Sequence, residues 1–552
     1  MSRLARSGPL LPLLLGMALV YLPLLWRGLP VGHDWLFELR RVVEFGSALA
    51  AGDVPPGWAP GLYGGYGSPI FLFYAPLHML AASLLALCTG SSELGIRLAL
   101  LLTAGVGFWS ARLLLLRATG SVSAARLSAG FYVLHPYVIG DAFLRNAHAE
   151  FTALCLLPAA GAALLGARER PWRAALGIAA GLAAVLLAHN LTALVAAAAL
   201  AAGAVLVHGP EREPRTWIAI AGGTALGLAL AAFFWLPALL LSELVRPEEL
   251  LVGKFDFHNQ FPPARSVFGY AQFYAAGLLQ PAVLVAACVV LVRQSPEGAR
   301  DRLLIGALAA AALLLFLLTP YSTLLWEHVP FMPFFQFPWR LLGPLALAVA
   351  LAGALAFAEV ERRLGPRRAL LLEAGLALLV LLNAGPRLGQ VEWAAPGAAE
   401  ASLERGPLRE RSDGATVRDE YLPRGAVHEV ARGRSRAASP VVSVDPPAEV
   451  RVLGRPGAHV ELEVQAAQPT RLRLARWAFP GWQLEVGGAP VELATAPTGA
   501  IDVQVPAGQS SVSLRWVGPP LRRAGNWLSL AALCAWLALA LREFRRGGRE
   551  SL

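Results

Sequence analysis

The chain has 552 residues, of which 56% are hydrophobic and only 15% charged. Soluble domains carry about 25% charge, so an ordinary soluble enzyme is excluded, as are a disordered chain, a collagen and a disulfide-stapled secreted fold. The formal net charge of +10 is almost wholly arginine, since Lys254 is the only lysine; arginine anchoring of cytoplasmic loops accounts for that sign without nucleic acid.

The first apolar run, about 8–26, follows Arg3 and Arg6 and has no small-residue cleavage site after it. It reads as a retained first helix with its N-terminus inside. A first outer loop, 27–94, comes next. Its segment GHDWLFELRRVVEFGSALAAGDVPPGWAP (32–60) predicts an amphipathic helix over about 35–51. Leu36, Leu39, Val42, Val43 and Leu49 share the apolar face, and Glu38, Arg41 and Glu44 are expected to face water. Asp34 stands where an N-cap belongs. It either caps this helix or serves, beside His33, as a general base at the membrane surface. In LYGGYGSPIFLFYAPL (62–77), Gly64, Gly65 and Gly67 predict a bend that admits close approach of another group. Tyr66, Phe71, Phe73 and Tyr74 suit either the aromatic belt or a binding groove. The run 70–88 contains Pro76 and His78, which favours an interfacial or re-entrant helix.

Further spans are predicted at about 95–116, 122–139, 150–167, 173–189, 191–207, 216–240, 272–293, 303–319, 340–358, 368–384 and 524–541. With 70–88 on the outer surface the chain crosses twelve times and both ends are inside. That arrangement puts 21 basic residues inside, Arg212, Arg293 and Arg549 among them. It leaves nine in the outer loops of the membrane part, Arg265 included. A thirteenth crossing scrambles this positive-inside pattern. The free cysteines Cys88, Cys155, Cys288 and Cys534 all lie in apolar stretches and match no metal or redox spacing.

The region 386–523 is polar and rich in Pro and Gly. HVELEVQ (459–465), RLRLARW (471–477) and IDVQVPAGQSSVSLRW (501–516) alternate with period two and are punctuated by GRPG, PGW, GG and PAG. The expected architecture is an all-α polytopic membrane domain (1–385), an extracytoplasmic β-sandwich-like domain (386–523), and a last helix with a basic cytoplasmic tail (524–552).

Ionisable groups gather at the outer ends: His33, Asp34, Glu38, Asp141, Arg145, His148, Glu150, His189, Asp256, His258, Glu327, His328 and Arg340. Charges at membrane depth are functional candidates by default. Arg145 either neutralises Glu150 or holds an anion, for which guanidinium geometry is suited. Asp141, His148 and Glu150 offer oxygen and nitrogen ligands for a divalent ion, although their spacing matches no metal motif. His189-Asn190 interrupts two Ala-rich helices, as a wet turn would. Arg340 opens a helix where it either meets a lipid phosphate or snorkels.

These features resemble the GT-C class of membrane glycosyltransferases. More narrowly, GHDWLFELRRVVEFGSALAAGDVPPGW, YGGYGSPIFLFYAPL, LRNAHAEFTALCLLP (144–158), HNLTALVA (189–196), FQFPWRLLG (335–343) and DEYLP (419–423) resemble the bacterial membrane family labelled 6-pyruvoyl-tetrahydropterin-synthase-related. The tail FPGWQLEVGGAPVEL (479–493) through VPAGQSSVSLRWVGPPLRRAGNWLSL (505–530) is similar to YfhO-like membrane proteins. The resemblance implies an inverting sugar transfer from a polyprenyl-phosphate donor to a glycan, lipid or protein of the cell envelope, at the outer face of the inner membrane. Asp34 stands where such enzymes place their catalytic acid, and Asp141 and Glu150 where many carry a second one. Here the first-loop pair is His33-Asp34, whereas that class often shows two acids. His33, Glu38, Arg145, His148, His189 and Arg340 are the expected donor-binding groups, with magnesium or manganese as the compatible cofactor. The competing readings are a flippase of lipid-linked glycans, which would place its ionisable groups near the midplane and repeat its halves, and a catalytically silent scaffold.

Overall fold

The computed structural model describes residues 10–209, 213–261, 279–292, 298–404, 416, 418–432, 434, 438–454 and 457–549. Arg3, Arg6, Arg212, Arg265 and Arg293, the start of the 272–293 span and part of the GRPG turn lie outside them. The membrane part contains α1 (Leu10–Tyr21), α2 (Trp35–Ala50), α3 (Leu77–Thr89), α4 (Ser92–Thr119), α5 (Val122–Val133), α6 (Pro136–Gly140) and α7 (His148–Leu165). It continues with α8 (Pro171–Ala188), α9 (Asn190–His208), α10 (Pro214–Leu230), α11 (Ala232–Leu240), α12 (Leu279–Val292), α13 (Ala299–Leu317), α14 (Thr323–His328), α15 (Leu342–Leu364) and α16 (Pro366–Leu388). A short α17 (Ala398–Glu404) precedes the strands, and α18 (Pro520–Arg549) ends the chain.

Among the described residues six helices are long and apolar enough to cross a membrane, or up to eight if two bent pairs each count as one span. The sequence predicts twelve, and parts of two of those runs, 8–26 and 272–293, lie outside the described residues. Other predicted runs are interrupted or bent locally. The 122–139 run breaks at Leu134-His135, where His135 caps α6 and Pro136 takes its first position. The 216–240 run bends by 71° between α10 and α11, and α13 bends by 93° into the helical segment after it. The 368–384 run lies in α16, which also carries Arg367, Arg368 and Glu373. The 70–88 run, not counted among the twelve, forms a short turn, Ile70–Leu72, followed by the 13-residue α3. At 1.5 Å per residue α3 is about 20 Å long, short of the roughly 30 Å hydrocarbon core.

Small residues set the helix spacing. Gly223 and Gly227 of α10 lie against the Ala175 and Ala179 backbone of α8, and a β-carbon on either would stand 2.6 or 2.9 Å from a carbonyl oxygen. Such small-residue stripes let helices approach where lipid offers no hydrophobic drive. Arg126 of α5 donates to Glu373 of α16 at 2.8 Å, a buried ion pair between distant segments. Ser529 and Trp536 of α18 donate to the carbonyls of Ala229 and Leu176, each at 3.0 Å, fixing the last helix against α10 and α8.

The C-terminal region forms two antiparallel sheets, ordered β1-β4-β8-β7 and β2-β3-β9-β5-β6. Their strands are β1 (Val441–Asp445), β2 (Glu449–Leu453), β3 (His459–Ala466), β4 (Thr470–Trp477), β5 (Trp482–Val486), β6 (Ala489–Val491), β7 (Ala494–Thr495), β8 (Ala500–Val505) and β9 (Gly508–Trp516). The period-two alternation has the expected effect. Val460, Leu462 and Val464 of β3 are buried in one core with Leu472, Leu474, Ile501, Val503 and Leu514. The 501–516 stretch divides into β8 and β9 at its PAG turn.

This domain is joined to the first outer loop by aromatic packing. Trp58 is fully buried between Trp482 and Trp516, with ring centroids 5.0 and 4.8 Å away. Tyr66 stacks on Trp477 at 4.2 Å and accepts the Trp477 amide at 3.1 Å. The glycine bend provides the room: Gly67 has φ +80°, and a β-carbon there would lie 2.1 Å from the Trp58 indole nitrogen. Arg476 donates to the Gly65 carbonyl, and Arg522 of α18 pairs with Asp53. The segment before β1 also returns to the membrane part. Val31 donates to Glu392 at 2.8 Å, and Glu400 accepts the Glu93 amide at 2.9 Å.

Replacing Trp58 by alanine removes the central ring of this contact, and such large-to-small core changes cost about 3–5 kcal/mol. The variant is expected to melt at a lower temperature in detergent and to release a protease-sensitive β-domain. An unchanged melting temperature and digestion pattern would contradict the docking role.

Candidate active site at the rim of the helical domain

The first and second outer loops are stitched together by their backbones. His33 donates to the Leu144 carbonyl and Asp34 to the Arg145 carbonyl, both at 3.0 Å. Gly32 is required there, because a β-carbon would stand 2.0 Å from the Asn146 side-chain oxygen. The second loop reaches this position through a single π-helical turn, Asp141–Arg145, closed by Asn146 with φ +54°.

Asp34 occupies the N-cap position of α2, with φ −108° and ψ 10°, but its side chain makes no capping hydrogen bond. The capping role is therefore not realised. Burial raises the Asp34 carboxyl above its usual range, against the pull of the Arg41 and Arg145 guanidinium groups. His33 is exposed, and the partial desolvation it keeps lowers its imidazole despite the Asp34 charge.

The expectation that Glu38, Arg41 and Glu44 face water is corrected. They are 1%, 5% and 0% exposed. The glycine-aromatic segment folds over this face and supplies partners. Arg41 donates to Glu38 Oε1 at 2.7 Å and lies 4.2 Å above the Tyr74 ring, and the Tyr74 hydroxyl donates to the same oxygen at 3.3 Å. Glu44 accepts the Gly61 amide at 2.9 Å. Helical periodicity identifies the polar face but says nothing of what will cover it.

A second charge cluster is centred on Arg145. It pairs with Asp141 and with Glu150 Oε2 at 3.2 Å, and donates to the Tyr137 hydroxyl at 3.0 Å. That hydroxyl donates in turn to Glu150 Oε1 at 2.5 Å. Trp339 lies under the guanidinium at 4.3 Å. Arg340 Nε approaches Glu150 Oε2 to 3.3 Å, and its Nη1 donates to Gln336 Oε1 at 2.9 Å. His189 caps α9, its Nδ1 lying 2.9 Å from the Thr192 hydroxyl, and sits close enough to act on the Glu150 charge.

Of the predicted residues, the structure thus joins Asp141, Arg145, Glu150 and Arg340 in one ion-pair network, with His189 at its edge and Asp34 bonded to its backbone. It separates the expected oxygen-and-nitrogen ligand set. Arg145 occupies the space between Asp141 and Glu150, so a magnesium or manganese ion does not fit between those acids. His148 instead turns toward Glu38, with Nδ1 3.8 Å from Oε2. His258, Asp256 and Glu327 form a separate exposed cluster, His258 lying 2.7 and 3.1 Å from the two acids.

Several residues near the site were not expected. Tyr137 and Trp339 carry no charge and no pattern distinguished them, whereas Tyr74 belongs to the aromatic run read as either a belt or a groove. The DEYLP segment, quoted above only for its resemblance, reaches back to the first loop. Tyr421 stacks over Phe73 at 5.9 Å. Tyr63 and His428 hydrogen-bond Asp419 at 2.9 and 2.7 Å. Burial pushes Glu420 above its usual range while Arg41 acts to lower it, so a further carboxylate lies within reach of Arg41.

No family profile matches this sequence, and no curated protein sequence does. Among solved structures, the arabinofuranosyltransferase AftD from Mycobacteria aligns with a TM-score of 0.46 and 20% identity, over 67% of this chain and 26% of that one. The oligosaccharyltransferase AglB of Archaeoglobus fulgidus, in complex with an inhibitory peptide and a dolichol-phosphate, aligns with a TM-score of 0.41 and 16% identity, over 74% and 57%. The chain spans about a quarter of the mycobacterial enzyme and somewhat over half of the archaeal one. With TM-scores below 0.5, the chemistry has to be argued from the residues themselves.

Glu150→Gln leaves Arg340 and Arg145 short of a carboxylate, and breaking a buried ion pair costs about 3–5 kcal/mol. A marked fall in melting temperature is expected for this variant and none for Asp34→Asn, whose side chain caps nothing. Equal melting temperatures for the two variants would contradict the network.

Proposed function

We propose that this chain is a membrane glycosyltransferase that moves a sugar from a polyprenyl-phosphate donor to an extracytoplasmic acceptor of the cell envelope. The observation that carries the reading is the position of Asp34. Its carboxylate is not used as a cap, it lies within electrostatic reach of Arg41 and Arg145, and its backbone is bonded to the loop that holds the arginine network.

The chemistry follows from what such a transfer needs. The acceptor hydroxyl loses its proton to the Asp34 carboxylate as its oxygen attacks the anomeric carbon. The bond from that carbon to the lipid phosphate breaks, and the phosphate leaves with the electron pair. Its developing charge calls for fixed cations. Arg340 is the accessible hand of the network, with its side chain 17% exposed against 7% for Arg145. In this reading Arg340 meets the phosphate and Arg145 holds Glu150 and the loop in place. Attack from the side opposite the phosphate inverts the anomeric configuration. The lipid tail stays in the bilayer, which fits a site at the ends of apolar helices. The aromatic contact between Trp58 and the β-domain supports a role for that domain as a rigid cover over the first loop, near the acceptor side.

Asp34→Asn, purified in lipid and given a panel of polyprenyl-phosphate sugars, is expected to transfer about 10²–10⁴-fold more slowly than the parent. Transfer at the parental rate would reject the assigned base. Movement of the lipid-linked sugar across the bilayer with no glycosidic bond formed would favour the flippase instead.

A further inference from the structure

A second constellation lies beside the arginine network and takes no part in the transfer outlined above. Glu38 of α2, His78 of α3 and His148 of α7 come from three separate elements. Each offers one ligand atom, and these atoms all lie within 4.8 Å of one another. The residues are 1%, 2% and 0% exposed. The two imidazole rings have centroids 4.8 Å apart. His78 Nε2 and His148 Nδ1 have no hydrogen-bond partner among the described residues.

The surrounding bonds orient both rings. The Thr152 hydroxyl donates to the His148 carbonyl at 2.7 Å, so its oxygen is left to accept from His78 Nδ1, 3.4 Å away. That places the hydrogen of His78 on Nδ1 and a bare lone pair on Nε2. His148 Nε2 lies 3.3 Å from the Asn146 side-chain nitrogen, and its Nδ1 faces Glu38 Oε2 at 3.8 Å. Glu38 Oε1 is taken up by Arg41 and Tyr74, which leaves Oε2 facing the rings.

Two imidazole nitrogens and one carboxylate oxygen thus converge in a buried site, and both nitrogens lack a hydrogen-bond partner among the described residues. Buried polar atoms left unpartnered are costly, and a bound ion would satisfy them. Two imidazoles and one carboxylate match the donors preferred by zinc and its first-row neighbours, whereas magnesium and calcium prefer oxygen alone. The Thr152 hydroxyl behind His78 is the kind of support that orients metal-binding histidines. Ligands of a tetrahedral ion at 2.0–2.1 Å stand about 3.4 Å apart, so a triangle whose sides are at most 4.8 Å has to narrow by up to about 1.4 Å on binding.

We propose that Glu38, His78 and His148 hold a divalent transition-metal ion of the zinc type, with its remaining position open. The ion ties α2 to α3 and α7 one turn after Asp34, and so fixes the direction in which the first loop presents that carboxylate. Its role is positional.

The test uses the full chain in detergent and reads binding, not transfer. Protein purified without chelator is expected to carry a single divalent ion per chain by elemental mass spectrometry. After stripping, it is expected to take up cobalt(II) with the visible absorption of a four-coordinate site. His78→Gln and Glu38→Gln should lose that absorption. Thr152→Val, a milder change that removes only the hydroxyl behind His78, should weaken cobalt binding about 10–100-fold. Parent protein that is metal-free as purified and gives no cobalt spectrum would overturn the proposal in favour of a proton or water at this place. Cobalt binding unchanged in His78→Gln would overturn it as well. Metal without transfer activity would count against the transferase reading alone, and transfer by metal-free parent protein at the full rate would count against the positional role.

Discussion

A carboxylate taken out of water has to be met by a cation, and that constraint shapes the rim of this protein. Glu38, Asp141 and Glu150 are each at most 3% exposed, and an ionised group left alone at such depth costs several kcal/mol. Arg41, Arg145 and Arg340 answer them. Arg41 meets Glu38 within α2 and Arg145 meets Asp141 and Glu150 within the second loop, while Arg340, from the segment before α15, reaches Glu150 and so ties two distant stretches of chain together. Asp34 is carried into place by the same requirement, through its backbone bond to Arg145.

The aromatic contacts do for the β-domain what the ion pairs do for the loops. Trp58 and Tyr66 lie in the stretch of first loop that follows α2, and both pack on tryptophans of inner strands of the two sheets. The first loop is consequently held from two sides. Its start is fixed by the second loop, and its middle by Trp477, Trp482 and Trp516. The DEYLP segment adds a third restraint through Tyr63, Asp419 and His428. A carboxylate on a loop held this way is pre-oriented, which is what the acid–base role proposed for Asp34 requires.

Much of this was legible in the amino-acid order. Asp34, Arg145, Glu150 and Arg340 stood out because charges at the ends of apolar runs are rare; Arg145, Glu150 and Arg340 meet in one network, and Asp34 is tied to it by its backbone. The period-two segments gave β3, β4, β8 and β9 nearly to the residue, since a buried face and a wet face leave a clear alternation. The rest was hidden for physical reasons. The polar face of α2 looked solvated because covering groups such as Tyr74 and Gly61 lie outside the helix and leave no periodic trace. His78 was visible only as an odd residue in an apolar run; nothing local indicated that α7 would bring His148 to it. The breaks at Leu134-His135 and between α10 and α11 fall inside strongly apolar stretches, where composition predicts a span and only the backbone decides whether it stays straight.

The central claim is that the lipid phosphate and the attacking hydroxyl meet between Arg340 and Asp34. A cryo-EM structure of the chain in a lipid nanodisc with bound polyprenyl phosphate tests this most directly. The account predicts the phosphate within hydrogen-bonding distance of the Arg340 guanidinium, on the side of the network that faces Asp34, with the tail running between helices into the bilayer. Phosphate density at the opposite ends of the helices, away from both residues, would contradict it.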